Sequence, residues 1–598
     1  MAEDGDEKKS WLPKVNFNKR KIAKQMRKVE GATIRHTHKF IVKRWSNVRE
    51  SQRSIVLWIL AMGILIAATG LQLMWFQQSY KTPTATNDGV YAEAVMGPVD
   101  TLNPLFASSS AEQSASYLMF SRLVNYDKTG HLGYDLAASI TSNETKSVYT
   151  VKIRDDARWS DGVSLTANDV AFTIGLIKNP NVRTAVEGWG DVTVKVMDDY
   201  TVEFNLKSAY AAFEHALTFP VLPKHILGDV IASGIRENSF SNNPIGSGPF
   251  KFSFTQDIDK SPGHEVIYMV KNDGYYRGKA KLDRFQLHVY NNSEEIAKAI
   301  TSGEVNSAAD LRPADLSSIN DGKYDIESNP INSGVYAIIN IKSPILQDLS
   351  ARRALQSATN TDAIRAELPD TTPQLDLPLV NSQLTGDLPT APKYDLAGAQ
   401  KMLDDAGWPV GAQGIRQKDG ADLKLSVVTM KNSELERVLE ILTGQWRLLG
   451  INIETKVVDP NDVSQNVFQG ILQPRNYDVL LYQLNIGADP DVYAYWHSSQ
   501  TSVQGSNFAN YSNAISDDAL SSARVRFEPS LRNAKYITFA KQWLSDVPAI
   551  GLYQATAQYV SSKNVKSVGD ENILVSSIDR YADVLNWSVG TRSVYKTP

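Results

Sequence analysis

The chain has 598 residues, of which 42% are hydrophobic and 21% are charged, a composition typical of a globular protein. It contains no cysteine, which excludes disulfides, thiolate metal sites, cysteine nucleophiles and lipid attachment through an N-terminal cysteine. The net charge of −4 is unevenly distributed, because residues 1–53 carry fifteen Lys and Arg against six Asp and Glu, a net +9, which leaves −13 for the rest.

One segment of the chain is apolar enough to cross a bilayer. Ile55–Phe76 has 22 consecutive residues without Asp, Glu, Lys or Arg, and a helix needs about 20 apolar residues to span the hydrocarbon core. A cleaved signal peptide would have a shorter apolar region, about 7–15 residues, followed by a small-residue cleavage site. Residues 77–82 offer no such site. We therefore predict a retained transmembrane helix at residues 54–76.

The charge asymmetry predicts the orientation of this helix. Basic flanks remain in the cytoplasm, so residues 1–53 form a basic cytoplasmic tail near the anionic inner leaflet, and everything after Phe76 is extracytoplasmic. Residues 77–88 are polar and predict a linker. The protein is thus expected in the cell membrane as a single-pass protein that contacts lipid through Ile55–Phe76, and nucleic acid is not an expected partner.

Beyond residue 88 the hydrophobic periodicity first predicts mainly strands. Alternation of apolar and polar residues indicates strands, and a period of 3.6 indicates helices. The predicted strands are 89–95, 148–153, 192–196, 201–206, 250–255, 264–270 and 284–289, and the predicted helices are 111–123, 170–178 and 293–301.

The later part alternates between the two kinds of element. Short strands between helices of 10–16 residues are typical of α/β units on a mixed sheet. The predicted strands are 334–341, 423–428, 451–458, 478–484 and 547–553, and the predicted helices are 350–359, 396–406, 434–449 and 517–545.

No catalytic motif is found in the sequence. GxxxxGK[ST], HExxH, GxSxG and EF-hand patterns are all absent, and of the eight histidines only His36 and His38 are close together. We therefore expect a protein that is not an enzyme and that uses no metal or cofactor. Asp489-Pro490-Asp491 follows a hydrophobic strand and either contacts a ligand or caps the next helix, and both interpretations stay open.

Several motifs resemble one protein family. Tyr149–Gly162, with Thr166–Val170, resembles the signature of the family 5 extracellular solute-binding proteins, the oligopeptide-, dipeptide- and nickel-binding components of ABC importers. Further segments resemble the family in the same order, and the resemblance covers about residues 88–590. These segments are 102–104, 246–250, 272–278, 351–355, 399–408, 477–478, 489–491 and 546–553.

The resemblance implies a periplasmic-binding-protein-like α/β fold (type II) with two lobes around a cleft. Lobe 1 would be 88–332 plus 553–598, with 134–238 as an additional subdomain, and lobe 2 would be 333–552. The crossovers would lie near 334–340 and 549–554. Ligand would close the cleft by a hinge motion, and the closed form would dock on ABC permease subunits with their ATPases.

The resemblance and the strand ends together predict the ligand-binding residues. In peptide-binding members an acidic residue about three positions before the Asp-Pro element pairs with the ligand's terminal ammonium, but here that position is Ile486. Either Asp489 or Asp491 takes over, or the ligand has no free amine. We expect small peptides, with an amine-free solute such as an oligosaccharide, or a non-transport surface or sensory protein, as alternatives. The predicted ligand-binding residues are Asn103, Trp189, Gly246, Ser247, Gly248, Tyr336, Tyr482, Gln483, Asn485, Gly487, Asp489, Asp491 and Trp496.

Overall fold

The structure is a computed structural model. It describes residues 52–79, 81–85, 89–184, 186, 188–258, 264–319, 322–369, 372–459, 465–569 and 572–595. The predicted cytoplasmic tail lies outside the described residues except for its last two positions, and so do residues 86–88 of the predicted linker.

The first described element is a long apolar helix, α1 (Gln52–Ser79). Its most apolar 18-residue window has a mean hydropathy of 2.3, and the side chains of residues 52–75 are exposed. By length and composition this helix can cross a membrane. Within the predicted linker, residues 77–88, α1 extends to Ser79 and a strand, β1 (Lys81–Ala85), pairs with β22 (Thr591–Tyr595). Thr82 and Thr84 are β-branched, which favours an extended backbone.

The strands beyond residue 88 build one ten-stranded mixed sheet and several smaller sheets. They are β2 (Val90–Met96), β3 (Val124–Tyr126), β4 (Leu132–Tyr134), β5 (Ala137–Ser142), β6 (Val148–Ile153), β7 (Val192–Asp198), β8 (Thr201–Leu206), β9 (Phe250–Asp257), β10 (Glu265–Lys271), β11 (Arg284–Tyr290), β12 (Ser307–Ala309), β13 (Tyr324–Ile339), β14 (Gln417–Lys418), β15 (Ala421–Asp422), β16 (Lys424–Met430), β17 (Asn452–Val458), β18 (Val479–Asn485), β19 (Ala549–Ser562), β20 (Val565–Lys566) and β21 (Ser588–Val589). The large sheet has the order β17-β16-β18-β13-β19-β12-β2-β11-β10-β9, and β5-β6-β8-β7 form a separate four-stranded sheet.

The helices pack on the faces of these sheets. They are α2 (Ser110–Met119), α3 (Ala167–Lys178), α4 (Phe213–Ala216), α5 (Lys224–Leu227), α6 (Ser293–Ser302), α7 (Pro313–Leu316), α8 (Leu349–Ser357), α9 (Thr361–Arg365), α10 (Leu396–Asp405), α11 (Ser433–Arg447), α12 (Tyr493–Trp496), α13 (Ala514–Val525) and α14 (Pro529–Asp546). Short 3₁₀ turns lie at Ala232–Gly234, Ser239–Ser241, Asn381–Gln383, Ser498–Gln500 and Ser577–Asn586, and a π turn lies at Phe468–Leu472.

Residues 517–545, which the sequence predicts to be helical, form two helices in the structure. α13 ends at Val525, and α14 begins at Pro529 after a short extended break. Glu528 caps α14 by accepting hydrogen bonds from the backbone N–H groups of Ser530 and Leu531. Proline suits the first position of a helix and interrupts its interior. The sequence Glu-Pro therefore starts a second helix.

The buried apolar residues divide the sheet into two lobes. The core of the first lobe combines early residues, from Tyr91 to Ala309, with late residues, from Tyr559 to Trp587. The second lobe has one core on each face of its part of the sheet, and both are drawn from residues 335–553. The first lobe is therefore discontinuous in sequence, whereas the second is one continuous stretch.

Strands β13 and β19 connect the two lobes. They are 16 and 14 residues long and pair antiparallel along most of their length. Their register shifts between Pro330 and Gly334 and again between Val335 and Tyr336. These irregularities lie where the chain passes from the first lobe to the second. A hinge is expected at such a position, because a break in the ladder bends more easily than a regular ribbon.

Candidate functional site

A cavity of about 900 Å³ lies between the two lobes. The first lobe contributes residues that follow β2, β11 and β12, together with Arg580. The second lobe contributes the end of β16, the first turn of α11 and Gln483. Residues 555–559 of β19 form its hinge side. The cavity is thus lined by residues of both lobes and of β19, which connects them.

A buried ion pair lies beneath the first-lobe wall of this cavity. Arg580 donates to Glu93 Oε1 from Nε at 3.1 Å and from Nη2 at 2.8 Å. Tyr581 also donates to Oε1, and Tyr559 donates to Oε2 at 2.9 Å. Burial opposes the charge on Arg580, but the facing Glu93 carboxylate holds the pKa of Arg580 above its usual value. The guanidinium therefore keeps its charge inside the lobe, where a buried ion pair must be fully hydrogen-bonded.

The second-lobe wall is built from the carboxyl end of β16 and the start of α11. Asn432 caps α11 by accepting hydrogen bonds from the N–H groups of Glu434 and Leu435. Glu434 accepts a hydrogen bond of 2.8 Å from the Tyr553 hydroxyl of β19. Burial raises the pKa of Glu434 above its ordinary value. This wall therefore presents a carboxylate that is held against the hinge strand.

The opposite rim carries charge of both signs. Asp310 accepts a hydrogen bond of 3.0 Å from the N–H of Met96, at the end of β2. Arg312 makes two hydrogen bonds to Asp315, of 2.7 and 2.6 Å. Lys431, across the cavity, pairs with Asp459 at 2.7 Å. The cavity is therefore polar and mixed in charge, unlike a purely hydrophobic pocket.

Residues Tyr482–Asn485 are the end of β18, and a loop leads from there to α12. Within Tyr482–Trp496, Gln483 lines the interlobe cavity. Asn485 accepts a hydrogen bond at its carbonyl from Tyr495, and the Gly487 carbonyl accepts one from Gln383. Gly487 has φ +76°, a conformation that favours glycine. Tyr482 is half-buried, with its ring centroid 5.8 Å from that of Phe508.

Both aspartates of this loop have arginine partners in the structure. Asp489 makes two hydrogen bonds of 2.5 Å to Arg532 of α14. Asp491 Oδ2 lies 3.0 Å from Arg524 Nε, and burial raises the pKa of Asp491. Either carboxylate would have to exchange an arginine for a ligand ammonium. Their assignment to the ligand stays a prediction.

The remaining predicted site residues lie away from the large cavity, in packed regions. Gly246 is a position of close approach, because a Cβ there would come within 2.0 Å of the Met119 carbonyl. Its neighbour Ser247 accepts two hydrogen bonds from Ser121, and Gly248 donates to the Met119 carbonyl. The other four are buried: Asn103 in a turn before α2, Trp189 against Phe219 in a smaller cavity, and Tyr336 and Trp496 together in the second-lobe core.

The two lobes also touch at a contact that we call the latch, formed by Tyr210 and Ala211 of the first lobe and Arg524 of the second. The Arg524 guanidinium lies between two rings, 4.7 Å from Tyr210 and 4.5 Å from Tyr493. Its carbonyl accepts a hydrogen bond of 2.7 Å from Ala211. Because Tyr493 belongs to the second lobe, only the contacts with residues 210 and 211 cross the cleft.

A histidine lies close to the latch. His215 Nδ1 is 2.9 Å from the Tyr126 hydroxyl, and the two rings stack with centroids 5.9 Å apart. Burial lowers the pKa of His215, with smaller effects from the second-lobe charges of Asp489 and Arg532. The imidazole is therefore held neutral where the lobes face each other.

Sequence reasoning missed most of the cavity lining. The segment Lys431–Glu436 had a usable signal, since it joins the carboxyl end of a predicted strand to the start of a helix, where α/β folds place binding groups. No signal in the sequence marks Arg580 or Asp310 as a cavity residue, because each is positioned by residues distant in sequence.

Comparisons with known proteins match this architecture. The family model described as bacterial extracellular solute-binding proteins, family 5 Middle, matches residues 131–506. The oligopeptide-binding protein AppA of Bacillus subtilis is 26% identical over 489 residues, which cover 79% of this chain and 87% of AppA. The nickel-binding periplasmic protein of Escherichia coli is 24% identical over 392 residues, which cover 60% of this chain and 68% of that protein.

Solved structures agree with the fold. NikZ from Campylobacter jejuni, in complex with Ni(L-His), is 25% identical with a TM-score of 0.71, covering 83% of this chain and 99% of NikZ. AppA from Bacillus subtilis in complex with a nonapeptide also has a TM-score of 0.71, and the match covers 85% of this chain and 100% of AppA. The predicted two-lobed α/β fold is thereby confirmed. The chain belongs to family 5 of the bacterial extracellular solute-binding proteins, which are binding components of ABC importers and not enzymes.

Proposed function

We propose that this protein is a membrane-anchored receptor that captures small peptides between its lobes and delivers them to an ABC permease. The observation that carries the proposal is the cavity of about 900 Å³, which residues of both lobes line. Ligand sites usually occupy about 300–1,000 Å³, so this cavity is large. A ligand that touches both walls stabilises the closed form, which is the form that would dock on the permease.

The chemistry of the cavity suits a peptide. Its walls carry carboxylates and basic groups, together with strand ends whose backbone groups can pair with an extended chain. AppA of Bacillus subtilis is named an oligopeptide-binding protein, and its structure holds a nonapeptide. Since Asp489 and Asp491 are engaged by arginines, we assign the ammonium of a bound peptide to Glu434, in preference to those two. A ligand cation beside Glu434 would lower the pKa of this carboxyl group and so offset the effect of burial.

The same arginine pairs favour a second candidate, an amine-free solute such as an oligosaccharide. Such a ligand would need no unpaired carboxylate and would use the hydroxyl and amide groups of the cavity, among them Gln483, Thr556 and Gln558. The presence or absence of a free amine on the ligand separates the two candidates.

We also propose the domain bounds and the anchor. Lobe 1 is assigned to 88–332 plus 553–598, with 134–238 as its additional subdomain, and lobe 2 to 333–552, which the two sets of core residues support. The helix at residues 52–75 is about 36 Å long at 1.5 Å per residue, enough to cross a bilayer. We assign it as a retained anchor with a cytoplasmic N-terminus.

The test begins with mass spectrometry of whatever co-purifies with the full-length protein. Recovered peptides are then titrated by calorimetry, with free and with acetylated amino ends, into the wild type and into Glu434→Gln. Acetylation should weaken binding to the wild type about tenfold or more, since a charge-assisted hydrogen bond contributes about 1.5–3 kcal/mol. In Glu434→Gln acetylation should cost much less.

The controls separate the possible outcomes. Glu440→Gln alters an exposed carboxylate on the same helix and should bind like the wild type. If Asp489→Asn or Asp491→Asn removes the acetylation effect and Glu434→Gln keeps it, the ammonium site lies in the loop and our assignment is wrong. If no peptide is recovered and free and acetylated peptides bind equally weakly, the amine-free solute replaces the peptide as the proposed ligand.

A further inference from the structure

Three side chains that could bind a metal ion converge in the first lobe, outside the interlobe cavity. They are His264, His288 and Glu304, and their candidate ligand atoms all lie within 4.8 Å of one another. Glu304 Oε1 lies 3.5 Å from His264 Nε2 and 3.7 Å from His288 Nδ1. None of the three is among the residues that line the interlobe cavity. The cluster is therefore distinct from the proposed solute site.

The fold brings these residues together from three separate segments. His264 directly precedes β10, which pairs antiparallel with β11, so that Glu265 lies opposite Val289. His288 lies in β11, one position before Val289. Glu304 follows Gly303, which ends α6 in the left-handed conformation with φ +79°. The strand pairing and the helix end thus hold the three side chains at one place.

Neighbouring groups orient the ligand atoms. His288 Nε2 lies 3.3 Å from Gln286 Oε1, and because an amide oxygen only accepts hydrogen bonds, Nε2 carries the proton. The lone pair of His288 therefore lies on Nδ1, on the side of Glu304. Tyr290 donates to Glu304 Oε1 at 3.1 Å, and its ring stacks on that of His264 with centroids 4.4 Å apart. Hydrogen bonds of this kind around metal ligands fix their tautomer and orientation.

The buried nitrogen of His288 indicates a missing partner. His288 is only 8% exposed, and within the described part of the chain its Nδ1 has no hydrogen-bond partner. Buried polar atoms are nearly always paired, so a specific exception requires an explanation. A bound cation would satisfy this lone pair.

We propose that His264 Nε2, His288 Nδ1 and the Glu304 carboxylate bind one divalent transition-metal ion, with Zn²⁺ as the representative ion. Ligands at about 2.1 Å from a tetrahedral zinc lie about 3.4 Å apart, close to the two distances measured from Glu304. Two imidazoles and one carboxylate suit Zn²⁺ and its neighbours in the first transition series. The ion would join β10, β11 and the end of α6, so it stabilises the first lobe whatever solute the cleft binds. The proposal is independent of the proposed transport function.

The test uses the full-length protein, stripped with EDTA and titrated with Zn²⁺ in the presence of a competing chelator. We expect one high-affinity Zn²⁺ per chain and a rise in the melting temperature on binding. Glu304→Gln changes an exposed side chain and should weaken Zn²⁺ binding about tenfold or more, and His288→Gln should do the same. In Glu295→Gln, which alters an exposed residue of α6, and in the cavity variant Glu434→Gln, binding should be unchanged.

A second measurement does not depend on how well the variants fold. X-ray absorption at the zinc edge of the wild-type protein should show two imidazole ligands and one carboxylate ligand. Zinc affinity that is unchanged in both Glu304→Gln and His288→Gln would overturn the proposal, as would an absorption spectrum without imidazole ligands. Zinc binding that is lost only in Glu434→Gln would overturn it as well, because the metal would then belong to the cleft.

Discussion

The latch gives a direct test of how the lobes are held together. When the lobes separate, Arg524 keeps Asp491 and Tyr493, which belong to its own lobe, but loses the Tyr210 ring at 4.7 Å. Tyr210→Ala therefore removes a contact that exists only in the closed form. We expect this variant to shift the protein toward the open form without unfolding either lobe.

The size of the effect follows from the geometry. A cation–π contact contributes about 0.5–1 kcal/mol at exposed sites and about 2 kcal/mol when it is desolvated. The Arg524 side chain is 35% exposed, so about 1 kcal/mol is expected. This corresponds to a fall of about fivefold in the ratio of closed to open molecules. The apparent affinity for a ligand that binds only the closed form should fall by up to the same factor.

Single-molecule energy transfer can measure this ratio, since the natural chain has no cysteine. Dyes attached at Lys195→Cys and Lys541→Cys, two exposed positions in different lobes, would report the distance between the lobes. Tyr134→Ala, at a tyrosine of the first lobe that is 52% exposed, is the matched control and should leave the ratio unchanged. A closed-to-open ratio in Tyr210→Ala equal to that of the control would refute the role of the latch.

Three further predictions concern stability, pH and topology. Arg580→Met leaves the buried Glu93 carboxylate without its cation and should lower the free energy of unfolding, measured in urea, by about 3–5 kcal/mol. Adding Glu93→Gln should restore much of this loss. An equal loss of stability in the single and the double variant would contradict the pairing. The lowered pKa of His215 stabilises the protein above the unfolded pKa of about 6.5, and this contribution is lost as the pH falls below that value. The melting temperature of His215→Gln should therefore fall less than that of the wild type between about pH 7.5 and pH 5, and parallel curves would disprove this. A cysteine at position 145 should react with a membrane-impermeant maleimide in intact cells, and a cysteine at position 10 should react only after the cells are permeabilised. If the N-terminal sequence of the mature protein starts after Phe76, the anchor is not retained.

Local pattern was sufficient to predict most of the regular elements. The strands Val148–Ile153 and Thr201–Leu206 match their predicted bounds, because alternating side chains have one buried and one exposed face. The hinge strand β13 was predicted ten residues too short at its start. Its first half, Tyr324–Ser333, mixes polar and apolar residues without alternation, since pairing with β19 fixes its conformation. In this segment, pairing with a distant strand determines the backbone conformation more strongly than the local sequence preference does.

The candidate site was harder to predict than the fold. Its walls come from segments hundreds of residues apart, so that Met96, Asp310 and Glu434 meet only in the folded chain. The loop after β18 was correctly located by its sequence, but the arginines that engage its two aspartates lie on helices more than thirty residues further along. For the same reason the eight histidines gave no sign of a metal site. His264 and His288 are 24 positions apart and meet only because their strands pair.

The discontinuous first lobe determines the order in which this protein can be completed during synthesis. Glu93 and its counter-ion Arg580 are separated by 487 positions, and β12 must wait for β19. The second lobe needs only its own continuous stretch and can fold while the chain is still being made and exported. The first lobe, although its first residues are made first, stays incomplete until the residues up to Trp587 have been synthesised. Until then its strands lack part of their partners, and a chain truncated before Arg580 would carry a finished second lobe on an unfinished first one.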